Sequence, residues 1–390
     1  MRFALLGDHP DGISAALALA RTGRHQLACF GGASKPHAAR AVLENHSLRC
    51  PFVPDVEEIL ADPLIEWVIV AGSLDARAQQ LRRALRSERP VLCVFPPDLS
   101  PDIAYEASLI QQDTRQPLFP ILLESLHPAC QRLSDLLGST GERFELIEIE
   151  RQENDDALAI FRDWQLLRHL GGEIVEVSAF AAADEVRADQ PLLLAGQFEN
   201  GGIFHSTHLP SRTTQAPGPR LWPDRLRVWH GKQCYELVFA SADGQAMLTA
   251  TDENGHRSAV PFEQGDPWAR LVAIIESSWE QRQSKNKLPL CWQDAVRSLE
   301  LADAAKRSVK RRRTSLLDYQ EANEEVGFKG TMTLVGCGML WLILLLLIGA
   351  AWFPWLLYLI APVLVLFLLL QTFRWIIPPK TDSDSTKNKQ

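Results

Sequence analysis

The sequence predicts an α/β fold: a Rossmann-like parallel-sheet domain, a second soluble domain behind it, and a two-helix transmembrane hairpin at the carboxyl end. Three observations carry this. Short apolar runs alternate with helical patterns through the first third of the chain, its length leaves room for a further core, and an almost unbroken apolar stretch lies near its end. At 390 residues it exceeds the roughly 100 to 200 residues of an ordinary domain. A net charge of −8 argues against nucleic acid as the main partner, because phosphate recognition needs a basic surface.

The opening stretch, "MRFALLGDHPDGISAALALARTGRHQLACF", reads as a short strand, a turn, an alanine-faced helix and a second strand near Phe30. "DVEEIL" follows as a short helix and "IEWVIVAG", ending at Ala71 and Gly72, as a buried strand. "LDARAQQLRRALRS" is a helix and "PVLCVF" the next strand. Strand and helix in alternation imply a parallel sheet.

A dinucleotide-binding turn wants GxGxxG, so that backbone amides and the helix amino terminus approach a pyrophosphate. Here Gly7, Asp8, His9 and Gly12 occupy that turn. The outer glycines are present, but His9 places a side chain where close approach is needed and Pro10 removes an amide donor. "HPDG" suits a plain turn equally well. The second strand ends in "ACFGGASKPH" without the carboxylate that would hold ribose hydroxyls, and Lys35 and His37 favour a phosphorylated cofactor, NADP over NAD, or are simply solvated.

Met332 to Ile377 is nearly all Leu, Ile, Val, Ala, Phe and Trp, long enough for two spans of about 20 residues. Spans at 332–353 and 355–377 hinge at Pro354, with Trp352, Trp355 and Trp375 at the expected interfaces and Trp341 within the first. "KRSVKRRR" (Lys306 to Arg313) and Lys329 precede the first span, and Arg374, Lys380, Lys387 and Lys389 close the second. That pattern puts both termini in the cytoplasm, with 309–331 as a basic linker and 378–390 as a polar tail. The basic run can also serve acidic lipid. The seven cysteines contain no CxxC pair and read as reduced, and the amino terminus has no secretory apolar region.

Several segments in order resemble the Gfo/Idh/MocA oxidoreductases. They are "DVEEILADPLIEWVIVAG", "RPVLCVFPPDLS", "ESLHPACQRLSDLLGSTGERFELIEIER", "LLRHLGGEIVEVSAFAA", "GQFENGGIFHSTHL" and the closing "DPWARLVAIIESSWEQRQSKNKLPLCWQDAVRSLELADAAKRS". The resemblance implies a Rossmann-like domain over 1–122, an α+β open-sheet domain over 123–308 and self-association through that sheet. It also implies hydride transfer between nicotinamide and a sugar or cyclitol, with Gly7, Asp8, His9, Gly12, Ala71 and Pro96 at the cofactor. Where the family carries an EKP lysine, this chain reads Val94, Phe95 and Pro96, keeping only the proline. A phenylalanine packs against a ring but moves no proton. Where the family has its Asp and His helix, Arg162 and Gln165 stand, with Asp163 and His169 turned off that face, and Arg77 stands near a third family histidine.

Arg162 and Gln165 offer a guanidinium fork and an amide to an anionic or polyhydroxyl ligand, or are ordinary polar residues on a helix. His205 and His208, three apart on a strand, point to opposite faces, and no other cluster has metal-like spacing. No GxSxG elbow appears. Trp222, in the proline-rich stretch from Thr213 to Arg225, reads as a loop residue over the sheet. The leading expectation is a membrane-anchored protein of oxidoreductase ancestry that has lost hydride transfer and binds a sugar-like ligand or a protein partner. The alternatives are an active NAD(P)-dependent oxidoreductase with Asp163, His127 or a tyrosine moving the proton, and a scaffold without ligand.

Overall fold

The structure, a computed structural model, describes residues 1–139, 144–153, 159–183, 186, 190–210, 222–239, 245–263, 265–280, 290–317 and 346. Residues 1–318 form one compact unit and 319–390 cluster separately.

The first sheet is parallel, with strands β1 (Arg2–Gly7), β2 (Gln26–Gly31), β3 (Trp67–Ala71), β4 (Val91–Val94) and β5 (Leu118–Ile121) in the order β2-β1-β3-β4-β5. Helices α1 (Pro10–Arg21), α2 (Pro36–Asn45), α3 (Val56–Ala61), α4 (Leu74–Arg86) and α5 (Pro101–Thr114) make the crossovers. Helices on both faces leave the central strands without a polar side, which is why Phe3 to Leu6, Val68 to Ala71 and Val91 to Val94 are continuous apolar runs that the fold buries.

A 3₁₀ turn (Glu124–Leu126) and helix α6 (Pro128–Ser139) lead into a mixed sheet. It holds β6 (Phe144–Glu153), β7 (Ile174–Ala181), β8 (Leu192–Phe198), β9 (Ile203–Pro210), β10 (Arg225–His230), β11 (Gln233–Phe239), β12 (Ala246–Thr251), β13 (Arg257–Ala259) and β14 (Ser315–Leu316). Their order is β13-β12-β11-β10-β6-β9-β8-β7-β14, with β6 and β9 parallel and the other described pairs antiparallel. Helices α7 (Ala159–Gly171), α8 (Pro267–Glu280) and α9 (Trp292–Arg311) complete the unit. The strands alternate, burying Ile147, Phe204, Val228 and Leu237 on one face and leaving Phe180, Leu193, Ile203 and Met247 exposed on the other or at its rim.

Helix α9 is why two sheets make one compact unit. Trp292 Nε1 donates to Ala104 O of α5 at 2.9 Å, Tyr105 donates to Glu300, and Ser308 Oγ accepts from Ala179 N of β7 at 2.9 Å. Its buried face, Ala295, Leu299, Ala302 and Val309 among others, recurs at helical spacing.

The membrane reading is corrected here. No helix among the described residues is long and apolar enough to cross a membrane. The expected spans at 332–353 and 355–377, with the tail at 378–390, lie outside the described residues apart from Leu346, and a multi-pass placement with both termini cytoplasmic is not carried forward.

Candidate functional site

The turn after β1 is built against the end of β3. Gly7 has φ +117°, and a Cβ there would lie 2.1 Å from Ala71 O. At Gly12 a Cβ would lie 2.1 Å from Ala71 Cβ. Both glycines are therefore required by protein packing, whether or not a ligand binds.

The amide donors of that turn already have protein partners. His9 N donates to Ala71 O at 2.8 Å, Pro10 has no N–H, and Asp11 N donates to His9 Nδ1 at 3.2 Å, so His9 caps α1 with its ring. Asp11 brings a carboxylate to the positive end of the helix dipole, where a pyrophosphate would need that field for itself. Asp8 bridges to the next loop, accepting from Ser34 Oγ at 2.9 Å and Lys35 N at 2.5 Å. Gln80 Nε2 donates to Gly32 O, and a Cβ on Gly72 would meet Gln80 Oε1 at 2.3 Å.

Val94 and Phe95, which the resemblance sets at the EKP motif, are core residues. Val94 is fully buried and Phe95 is 2% exposed, its ring set edge-on to Phe161 with centroids 6.2 Å apart. The Phe95–Pro96 peptide is cis. Arg77, also buried, donates from Nη1 to Pro96 O at 2.6 Å and from Nε to Gly72 O at 3.1 Å, tying the ends of β3 and β4 together. Burial lowers its pKa, with Cys93 and Asp11 opposing.

Arg162 crosses from α7 to α1. Its Nη2 donates to Asp11 Oδ2 at 2.8 Å, and its Nε lies 3.6 Å from Glu124 Oε1. Glu124 is 1% exposed, and its Oε2 and the neighbouring Ser125 Oγ have no hydrogen-bond partner among the described residues. Burial pushes the Glu124 carboxyl up to about 7, against the attraction of Arg162. A carboxyl held there has acid–base character near neutrality.

Gln165 does not join Arg162. It is buried and accepts from Arg168 Nη1 at 3.4 Å, while Arg168 itself bridges Glu173 at 2.7 Å and Asp294 at 3.2 Å. Asp163 pairs with Arg151 at 2.6 Å and lies 3.5 Å from His208 Nε2, which bonds Ser206 at 3.0 Å, all four inside the fold. His205, on the opposite face of β9, meets Glu148 at 3.0 Å. His127 caps α6, accepting from Ala129 N at 3.1 Å, and packs edge-on to Trp222 and Phe239. His169 lies 3.4 Å from Gln131. Trp222 is corrected: it is 4% exposed and stacks on Phe239, because Arg151 Nη1 also holds its carbonyl.

The sequence reading missed Asp11 and Glu124. Asp11 lay hidden in a turn signature, and Glu124 carried a signal only in retrospect, as a carboxylate directly after a buried strand. No group of His, Cys, Asp and Glu among the described residues is arranged to hold a metal. The cysteines Cys29, Cys50, Cys93, Cys130, Cys234 and Cys291 are free thiols, and burial drives Cys93 up to about 12, far from a nucleophile's range.

The two sheets and their strand order are similar to those of solved oxidoreductase structures of the Gfo/Idh/MocA type, a likeness of fold. Solved structures with that fold include a UDP-N-acetylglucosamine 3-dehydrogenase from Acidithiobacillus ferrooxidans, 19% identical, TM-score 0.63, covering 80% of this chain and 98% of its own. An aldose-aldose oxidoreductase from Caulobacter crescentus, with glycerol, is 13% identical, TM-score 0.66, over 81% and 99%. An oxidoreductase from Agrobacterium radiobacter, in complex with NAD+, L-tartaric acid and magnesium, is 14% identical, TM-score 0.65, over 81% and 98%. No protein-family profile and no curated protein matches the chain.

The glycine turn, where the resemblance sets an NAD or NADP, has its own polar groups engaged within the protein. The His9 and Asp11 amides have partners, the Asp11 carboxylate stands at the helix terminus, and Asp8 is bound to the Ser34–Lys35 loop after β2.

Proposed function

We propose that this protein uses an oxidoreductase fold as a binding body and does not transfer hydride, with residues 1–122 as the nucleotide-type domain and 123–308 as the ligand and association domain. The observation that carries this reading is the Arg162–Asp11 pair at 2.8 Å, which joins the two parts across the cleft. No lysine stands at the EKP position, where Phe95 is packed into the core. Removing a proton donor and filling its space with a ring abolishes general acid–base work there while preserving the scaffold. The binding role is toward a sugar-like ligand or a protein partner, and the open sheet face, with exposed Leu193, Ile203 and Met247, suits homo-oligomerisation.

Titration calorimetry of the full chain with NAD, NADH, NADP and NADPH tests the reading. No saturation up to millimolar ligand is expected. Micromolar binding, about 8 kcal/mol, would overturn it.

One observation favours a second reading, an active NAD(P)-dependent oxidoreductase on a sugar or cyclitol. Glu124 is a buried carboxyl held near neutrality with one oxygen unpartnered, a suitable proton donor or acceptor. The complexed NAD+ of the Agrobacterium radiobacter oxidoreductase is consistent with it. Turnover of a sugar or cyclitol panel that is lost in Glu124→Gln would establish this reading over the first.

A further inference from the structure

We infer that the Gln80 side-chain amide is an autoinhibitory plug, closing the crevice at the carboxyl ends of β1, β2 and β3 against a flat ring that bears an N–H donor, such as an aminopurine. The reading of residues 1–122 as a nucleotide-type domain underlies this, and Gln80 adds what keeps that domain shut.

In an open parallel sheet, ligands bind outside the carboxyl ends of the strands, where the strand order reverses. That point lies at β1, which has β2 on one side and β3 on the other. The loops that leave β2 and β3 begin at Gly32 and Gly72. Gln80 reaches both from α4. Its Nε2 donates to Gly32 O at 3.1 Å. A Cβ on Gly72 would lie 2.3 Å from Gln80 Oε1, 2.8 Å from Cδ and 3.0 Å from Nε2, so the whole amide group rests against that backbone. A Cβ on Gly32 would lie 2.9 Å from Nε2. The close approach that glycines at such a crevice offer to a ligand is taken here by a side chain of the protein itself.

The plug is buried but held by one bond. Gln80 is 7% exposed, and its Oε1 has no hydrogen-bond partner among the described residues. A buried acceptor without a donor destabilises the closed form. Asp8 fastens the same loop a second time, accepting from Ser34 Oγ at 2.9 Å and from Lys35 N at 2.5 Å.

The amide also specifies what it excludes. A group that takes its place has to be planar, to rest against Gly72, and has to donate an N–H to Gly32 O. The amino edge of an aminopurine meets both conditions, whereas a saturated sugar ring fails the first.

The test titrates the full chain and its Gln80→Ala variant with adenosine, which carries no pyrophosphate to meet the Asp11 carboxylate. A plug that leaves at most about a tenth of the molecules open weakens apparent binding about tenfold or more, so Gln80→Ala is expected to bind adenosine tighter than the unaltered chain by that factor. Gln80→Met refills the space with an unbranched side chain and should bind no better than the unaltered chain. Amide hydrogen exchange over Gly32 to Lys35 should quicken in Gln80→Ala and not in Gln80→Met. Circular dichroism checks folding, and Gln80→Ser, which also withdraws the amide, takes the place of the alanine variant if that variant does not fold. Equal adenosine affinity in the unaltered chain and Gln80→Ala, or no binding to either, would overturn the inference, as would an equal gain in Gln80→Met. Dinucleotide titration of the unaltered chain tests the binding-body reading separately. That reading can fail while Gln80→Ala still gains adenosine affinity, and it can stand while Gln80→Ala gains none.

Discussion

Arg162 on α7 donates to Asp11 on α1 at 2.8 Å, and its other edge lies 3.6 Å from the buried Glu124. One guanidinium thus answers two carboxylates, each supplied by a different segment of the chain. The arrangement holds the cleft side chains together while leaving Glu124 Oε2 unpartnered.

Removal of Arg162 leaves Asp11 and Glu124 facing one another without a cation. Arg162→Ala is expected to lower the unfolding free energy by about 3 kcal/mol, as for a buried ion pair that loses one partner. Urea denaturation followed by tryptophan fluorescence would measure it, and Arg162→Lys should recover part of the loss.

Glu124 should make stability depend on pH. Its folded pKa, about 7, lies above the ordinary value of 4.5, as does that of Glu300, also raised to about 7 by burial. Between those values the folded state holds protons that the unfolded state releases. Stability therefore falls as pH rises from 4.5 to 7 and levels off above, by at most about 1.4 kcal/mol per pH unit for each group. Glu124→Gln should flatten its share of that slope, read from denaturation midpoints across the window.

Gly12→Ala adds a methyl group 2.1 Å from Ala71 Cβ. Overpacking of this kind costs about 1 to 3 kcal/mol. A lowered melting temperature is expected with or without any dinucleotide present, and a cost seen only with cofactor would point instead to a ligand-contact role for the glycine.

Phe95→Lys restores the residue type that the family resemblance implies for hydride transfer. Phe95 is 2% exposed and packs on Phe161, so the new ammonium enters an apolar core. The variant is expected to lose stability by several kcal/mol and to gain no turnover with sugars. Measurable NAD(P)-linked activity would mean that a single substitution had silenced the site.

The parallel sheet was legible because helix-covered strands must be continuously apolar, and "FALL", "WVIVA" and "VLCV" are. Val94, Phe95, Arg162 and Gln165 were singled out only through the resemblance, and their partners were not legible in the sequence. Gln165 turned to Arg168 rather than toward Arg162, and Trp222, read as a loop residue, stacked on Phe239. The Trp222–Phe239 stack lies beyond any local pattern because its residues sit on separate segments, whereas Gln165 and Arg168 are helical neighbours three apart on α7, and only the pull of Glu173 and Asp294 on Arg168 was out of reach.

The sequence by itself determined the order of strands and helices, the glycines of the first turn and the absence of a lysine after β4, because periodicity, backbone freedom and residue chemistry are local properties. Only the tertiary structure decided which polar groups found one another. Asp11, Glu124 and Arg162 stand on separate segments, the first and the last 151 positions apart, and burial drew them into one cluster because a charge removed from water needs its counterpart nearby.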